Sequence, residues 1–462
     1  MFSPKREGHT GSPIKPAMAP AKVLALGFML IILTGALLLM LPVSSRTGIG
    51  IGFLEALFTA TSATCVTGLT VVDTYTAYTV FGQMVILSLI QVGGLGFMLF
   101  ATTTLVALGR RITLRNRMLL RETMSLPGLS GGVRTTLQFM LIVFAVELAG
   151  AALLSIRFVP MYGWAKGVYF GVFHAVSAFC NAGFDLFGAA GSLIQFHGDP
   201  LVLLTISVLI VLGGIGFMVI AEVVASRGHL HRIGLHAKLV LTMTGLLLVS
   251  GFALYVAMEW NNPATLALPG AGPGEKVLNA WFQSVTTRTA GFFSFQQGEM
   301  TDTSKFVSVV LMFIGASPAS TGGGVKTSTF MVVLMVIASI VAGREDINIF
   351  RKRVPAASGR TAQSILFMYL ALLALGAVLL TIFENGKGFG FLDMLFEETS
   401  ALGTVGLSTV GTAKFSIPSK VLLIVLMYFG RVGPLTMMLT LNHGNPRTGK
   451  AIRYPEEQII IG

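Results

Sequence analysis

The chain has 462 residues, of which 53% are apolar and only 11% charged, against about 25% charged in an ordinary soluble domain. That balance excludes a soluble globular enzyme and a disordered chain, and it leaves an integral membrane protein whose solvent is lipid. The net charge of +12 would suit an anionic partner. It is read instead as topological bias, with no nucleic-acid partner, because the basic residues collect in particular links.

A spanning helix needs about 20 apolar residues. In chain order the candidates are 23–42, 79–108, 136–158, 201–225, 238–258, 304–342, 363–383 and 419–441. Segment 23–42 is too long for a signal-peptide core, and no small-residue cleavage site follows Leu41-Pro42, so it is read as a retained helix. Eight spans put both ends on one side. Lysine and arginine crowd the first twenty-two residues, 109–134, 227–238, 343–360 and 447–453. The alternate links hold only Arg46, Arg157, Lys166, Lys276, Lys305, Lys387, Lys414 and Lys420. Both termini are therefore expected in the cytoplasm.

Each outer link contains an apolar stretch too short to span, at 53–64, 168–179, 277–287 and 392–402. The stretches end in FTATSATCVTG (Phe58 to Gly68), FHAVSAFCNAG (Phe173 to Gly183), WFQSVTTRTAG (Trp281 to Gly291) and FEETSALGTVG (Phe396 to Gly406). Each begins with an aromatic residue, and Ser62, Ser177 and Ser400 share one column. The glycines recur about every 110 residues, which is a repeat signal to be read before any local motif. The helices that follow repeat too, as QVGGLGF with Gly93, VLGGIGF with Gly213, FIGASPA with Gly315 and YFGRVGP with Gly430. The implied unit is helix, half-helix, loop and second helix, four times over. The expected fold is all-α, with four such units set pseudo-four-fold around a central pore and eight transmembrane helices. Their bounds are 21–110, 111–228, 229–345 and 346–445, between cytoplasmic tails 1–20 and 446–462.

Non-helical backbone at membrane depth must be buried in protein or line water. Four such loops about one axis make a ring of carbonyls, which replaces the hydration shell of a monovalent cation. The half-helices would aim their negative C-terminal ends at the same point. Gly68, Gly183, Gly291 and Gly406 form the expected filter core. Val66, Thr67, Asn181, Ala182, Thr289, Ala290, Thr404 and Val405 supply neighbouring carbonyls. Segment 304–342 carries an expected break, running Gly315, Ala316, Ser317, Pro318, Ala319, Ser320, Thr321, Gly322, Gly323, Gly324, Val325 and Lys326. Proline and three consecutive glycines interrupt a helix. This stretch is expected to line the path below the filter as a mobile gate. Arg431 lies midway along 419–441, where a charge is costly and faces a cavity or a partner. Arg431 is expected to hold the loop, with Lys326 either sharing that task or snorkelling to the inner surface. Arg288 is expected to point behind the third filter loop.

Other groups take plainer readings. His174 is a packed core residue, and Cys65 and Cys180 are loop packing residues without a metal cluster. Glu147 and Glu398 are braces for the half-helices or attractors of cations. No nucleophile with a base, paired carboxylates or nucleotide motif marks an enzyme, and the chain carries no cofactor of its own.

The one-glycine filter loops, VTTRTAGF and GASPASTGGGVKT together resemble the Trk, Ktr and HKT superfamily of potassium transporters over residues 20–460. With eight spans and no additional N-terminal pair, the chain is closer to the Ktr membrane subunits than to the Trk members. The resemblance implies potassium uptake through the bacterial plasma membrane, often sodium-dependent. It also implies a homodimer seated on a cytosolic ring of nucleotide-binding RCK subunits. Segments 109–134 and 227–237 are the expected docking surfaces for that ring. A proton-coupled Trk-type transporter, or one that also passes sodium or ammonium, is the alternative.

Overall fold

A computed structural model describes residues 20–96, 132–188, 191–227, 229, 232–344 and 346–441. The two tails, most of the link 109–134 and the apolar end Ile459-Ile460-Ile461 lie outside the described residues. The first helices of the four units are α1 (Pro20–Leu39), α4 (Gly132–Tyr162), α8 (Leu235–Glu259) and α12 (Ala356–Phe383). These are the unbroken helices long and apolar enough to cross a membrane among the described residues. The half-helices are α2 (Phe53–Cys65), α5 (Trp164–Phe179), α9 (Pro273–Thr286) and α13 (Phe391–Leu402).

Three of the second helices are interrupted, and the first ends at a glycine where this stretch of described residues stops. Helix α3 (Val80–Leu95) stops at Gly96. Helices α6 (Pro200–Ile215) and α7 (Phe217–Ala225) meet at Gly216 with a bend of 96°. Helix α10 (Asp302–Phe313) is parted from α11 (Thr327–Val341) by the expected break. Helix α14 (Ile417–Val432) ends at Gly433, before α15 (Pro434–Leu441). The sequence reading took 201–225 and 419–441 as single spans. Gly96, where α3 ends, shares one column with the interruptions at Gly216, Pro318 and Gly433. The three glycines have φ of 83°, 99° and 89°, a left-handed conformation that an L-residue adopts only at a cost.

The helices start where local chemistry satisfies their first amides. Asp199 accepts from the amides of Leu201 and Val202 at 3.1 and 3.3 Å, with Pro200 in the first turn of α6. In units three and four a carboxylate at the end of the first helix reaches across to the start of the second. Glu259 accepts from the Thr301 amide at 2.9 Å and its hydroxyl at 2.8 Å. Glu384 accepts from the Ser416 amide at 2.8 Å and from the Ser416 and Ser419 hydroxyls.

Each half-helix packs on the first helix of its own unit and on the second helix of the unit before it. Thus α5 meets α3, α9 meets α6, and α13 meets α10. Half-helix α2 meets α14, so the first unit closes on the fourth. A short hairpin, β1 (Ile347–Ile349) and β2 (Lys352–Val354), joins units three and four and packs Ile347 and Ile349 under α11. The sequence reading had no strand there.

The Glu384 cluster gives the fold its first test. Burial alone would raise this carboxyl, but the hydroxyls of Ser416 and Ser419, Lys387 and the Ser416 amide bring it down to about 2. Its contribution is complete above the ordinary value of 4.5 and is lost as pH falls through about 2. Glu384→Ala should cost about 1–3 kcal/mol at neutral pH by leaving buried donors unpaired. Thermal unfolding in detergent, read against wild type, checks it.

Candidate ion pathway

The four loops leave their half-helices by the same turn. Val66, Asn181, Thr289 and Thr404 occupy one column, and their φ values are 58°, 59°, 67° and 51°. A non-glycine residue with positive φ is uncommon, and four in register mark a conformation the surroundings enforce. Two residues later the glycines turn left-handed again, with φ of 96° at Gly68, 68° at Gly183, 82° at Gly291 and 97° at Gly406. The backbone therefore changes hand repeatedly through a few residues.

The glycines close on one another in cyclic order. A Cβ on Gly68 would lie 2.5 Å from the Ala182 carbonyl oxygen. One on Gly183 would lie 2.7 Å from that of Ala290, and one on Gly291 would lie 2.6 Å from that of Val405. One on Gly406 would strike the Thr67 carbonyl, which returns to the first loop. The structure thus brings Thr67, Ala182, Ala290 and Val405 together, each placing its oxygen against the glycine of the preceding loop in cyclic order. A single outer cavity of about 420 Å³ is lined by all four glycines, with Asp73 and Asp185 on its wall.

The shared serines fasten this ring, a role the sequence reading did not assign. Ser62 Oγ accepts from the Gly68 amide at 3.1 Å, and Ser400 Oγ from the Gly406 amide at 3.0 Å. Ser177 instead donates to the Phe184 carbonyl at 2.8 Å. The third unit lacks the serine and uses Thr286, which donates to the Phe292 carbonyl at 2.5 Å. The hydroxyls of Thr67 and Thr404 are buried without a partner among the described residues.

Below the ring lies the interrupted segment of unit three. Its backbone bonds to unit two, with the Ser317 amide on the Gly214 carbonyl at 3.0 Å and the Thr321 amide on that of Gly213 at 3.3 Å. The Phe217 amide bonds the Ala319 carbonyl at 3.0 Å. The Thr321 hydroxyl is 3.2 Å from the Asn181 side chain. Gly322 faces the Thr289 side chain, and Gly323 faces that of Thr404. Gly324 approaches Gly315 so closely that a Cβ on it would lie 2.9 Å from the Gly315 Cα. Ser320 donates to the Ser317 carbonyl at 2.6 Å, and Ser317 Oγ meets Thr327 Oγ1 at 3.0 Å. Ala316 accepts from the Thr327 amide at 3.3 Å, while Pro318 presses its carbonyl against Gly216.

Two cations hold the segment. Arg431 donates through one nitrogen to the Thr321 carbonyl and through the other to the carbonyls of Gly93 and Gly94, the last at 3.0 Å. It therefore links units four, three and one. Lys326 folds back on the Gly322 carbonyl at 2.7 Å. Arg288 points away from the ring and donates to the Ile314 carbonyl at 3.1 Å.

The remaining singled-out groups are engaged or buried elsewhere. His174 stacks on Phe187 with centroids 4.2 Å apart and accepts from the Leu186 amide at 3.2 Å. Cys65 and Cys180 are free and buried. Glu147 takes both amide hydrogen bonds of Gln91 at 3.1 Å. Glu398 packs over Gly376, and neither of its oxygens has a partner among the described residues.

These features define a multi-pass helical membrane protein whose four loops close on one axis. The profile of the TrkH family, described as a cation transport protein, matches residues 18–447, and the chain belongs to that family. It is 41% identical to Ktr system potassium uptake protein B of Bacillus subtilis, over 96% of this chain and 97% of that one. It is 36% identical to the potassium/sodium uptake protein NtpJ of Enterococcus hirae, over 97% and 98% of the two chains. The crystal structure of the potassium transporter TrkH from Vibrio parahaemolyticus shares the fold, with a TM-score of 0.70 at 18% identity over 93% of this chain and 86% of that one. The family and these relatives are transporters, not enzymes.

The ring makes a definite structural prediction. Gly183→Ala forces a left-handed alanine, at about 1–2 kcal/mol, and drives its Cβ onto the Ala290 carbonyl at 2.7 Å. Helical content by circular dichroism should be retained. Stabilisation of the protein by added potassium, read by thermal shift, should be lost.

Proposed function

We propose that the chain is the ion-conducting membrane subunit of a potassium uptake system in the bacterial plasma membrane. The observation that carries the reading is the closed ring of Gly68, Gly183, Gly291 and Gly406, with the carbonyls of Thr67, Ala182, Ala290 and Val405 turned into it. A ring of carbonyl dipoles suits a dehydrated monovalent cation. The left-handed residues Val66, Asn181, Thr289 and Thr404 set the direction of those carbonyls. The names of the Bacillus subtilis and Enterococcus hirae relatives support potassium as the cargo.

The segment Gly315–Lys326 acts as the gate. It occupies the inner side of the ring, and Arg431 is its latch. Opening requires the guanidinium to release the Thr321 carbonyl. The four units 21–110, 111–228, 229–345 and 346–445 act as quarters of one pore, with both termini in the cytoplasm. Two copies form a homodimer on a cytosolic RCK ring that binds nucleotide. The ring docks at 109–134, largely outside the described residues, and at 227–237. Sodium promotes uptake.

A second reading is a less selective monovalent cation pathway. It is favoured by the dissimilarity of the four loops, none of which reads TVGYG, and by the potassium/sodium name of the Enterococcus hirae relative.

Rubidium uptake into liposomes, with and without sodium, tests the reading. Gly291→Ser should abolish uptake. Removal of 316–324 should raise flux, and so should Arg431→Ala, by about tenfold for the loss of one charge-assisted hydrogen bond of about 1.5 kcal/mol. No uptake by the wild type or by the folded deletion variant contradicts the pore. Equal sodium and potassium flux replaces the first reading with the second.

A further inference from the structure

A groove on the face read as extracellular is built for something other than the transported ion. Two cavities of about 670 and 570 Å³ adjoin at Gly198, Pro200 and Glu275, where the outer ends of α4, α6 and α9 meet. One is polar at its mouth, with Arg157, His197 and Asp199. The other is a slot walled by Leu204, Val277, Leu278 and Trp281. Leu204 is 47% exposed and Val277 43%, so the slot opens sideways to the bilayer. Trp281 in the slot fits the aromatic belt at a membrane interface.

The charges at the mouth are incompletely used. Arg157 gives Nε to Asp199, while its other two guanidinium nitrogens make no hydrogen bond among the described residues. Its side chain is 53% exposed. The Glu275 carboxylate lies against Gly198, where a Cβ would be 3.3 Å from Oε1, and it accepts no hydrogen bond among the described residues. A cationic fork from α4 and a free carboxylate from α9 therefore flank the segment Gly198-Asp199, above an apolar slot. A guanidinium suits phosphate and a carboxylate suits a primary ammonium. A purely anionic ligand fits poorly, because Asp199 and Glu275 together outweigh Arg157.

We propose that this groove binds an ethanolamine phospholipid of the outer leaflet, with its phosphate on Arg157, its ammonium on Glu275 and one acyl chain along Leu204 and Trp281. Bound there, the lipid bridges units two and three at the outer ends of α6 and α9. Both helices run from this groove toward the ion pathway. The proposal does not depend on which cation the protein carries.

Native mass spectrometry of the detergent-purified chain, offered equimolar palmitoyl-oleoyl phosphatidylethanolamine, phosphatidylcholine and phosphatidylglycerol, tests it. Phosphatidylethanolamine should be retained about three- to fivefold over phosphatidylcholine, the scale of a half-exposed ion pair. Phosphatidylglycerol, which has no cation, should be retained less than phosphatidylethanolamine. Glu275→Gln should bring the ethanolamine and choline lipids level. Leu204→Trp, which fills the slot, should lower retention of all three and gives an independent reading should the first variant misfold. Equal retention by the wild type overturns the proposal, as does a preference that survives Glu275→Gln. A groove covered by a second copy, detected as a dimer that retains no lipid, overturns it too.

Discussion

A peptide carbonyl at membrane depth has no water to bond, so every interruption of a helix there must find a partner or line a wet path. The whole arrangement depends on that constraint. Four half-helices stop short of spanning, and each ends in a left-handed residue and a left-handed glycine. The carbonyls so exposed are turned toward one another instead of toward lipid. Two of the shared serines, Ser62 and Ser400, satisfy the amides of Gly68 and Gly406. The breaks in the second helices obey the same rule. In unit three the freed backbone is absorbed by the amides and carbonyls of unit two, and the Thr321 carbonyl by Arg431.

Arg431 resolves two electrostatic problems at once. A guanidinium inside a membrane is costly unless it is hydrogen-bonded. Carbonyls left over at the ends of interrupted helices are costly in the same way. Bringing them together satisfies both and joins three of the four units at one side chain. Arg288 does the corresponding work behind the ring, where its charge is directed at the Ile314 carbonyl.

Much of this was legible in the sequence because it is carried by period and by residue type. The four in-register glycines, the half-helix lengths and the Pro-Gly-rich break each have a local signature. The helix ends at Gly96, Gly216 and Gly433 do not stand out. They lie in apolar runs, where glycine more often serves close helix packing. The tasks of Ser62 and Ser400 needed the loop's path, since each bonds an amide that only the turn brings within reach. Glu259 and Glu384 have no local signature in the sequence, because their partners arrive from the far side of a half-helix and loop. The Ile347–Val354 hairpin was hidden because its turn residues, Phe350 and Arg351, take positive φ without the Asn-Gly pair that signals such a turn.

The central claim is that one cation sits within the ring of loop carbonyls. Crystals grown in rubidium and measured at its absorption edge test it most directly. The account predicts an anomalous peak on the axis among the oxygens of Thr67, Ala182, Ala290 and Val405. A ring that remains empty while rubidium appears elsewhere in the protein would contradict it.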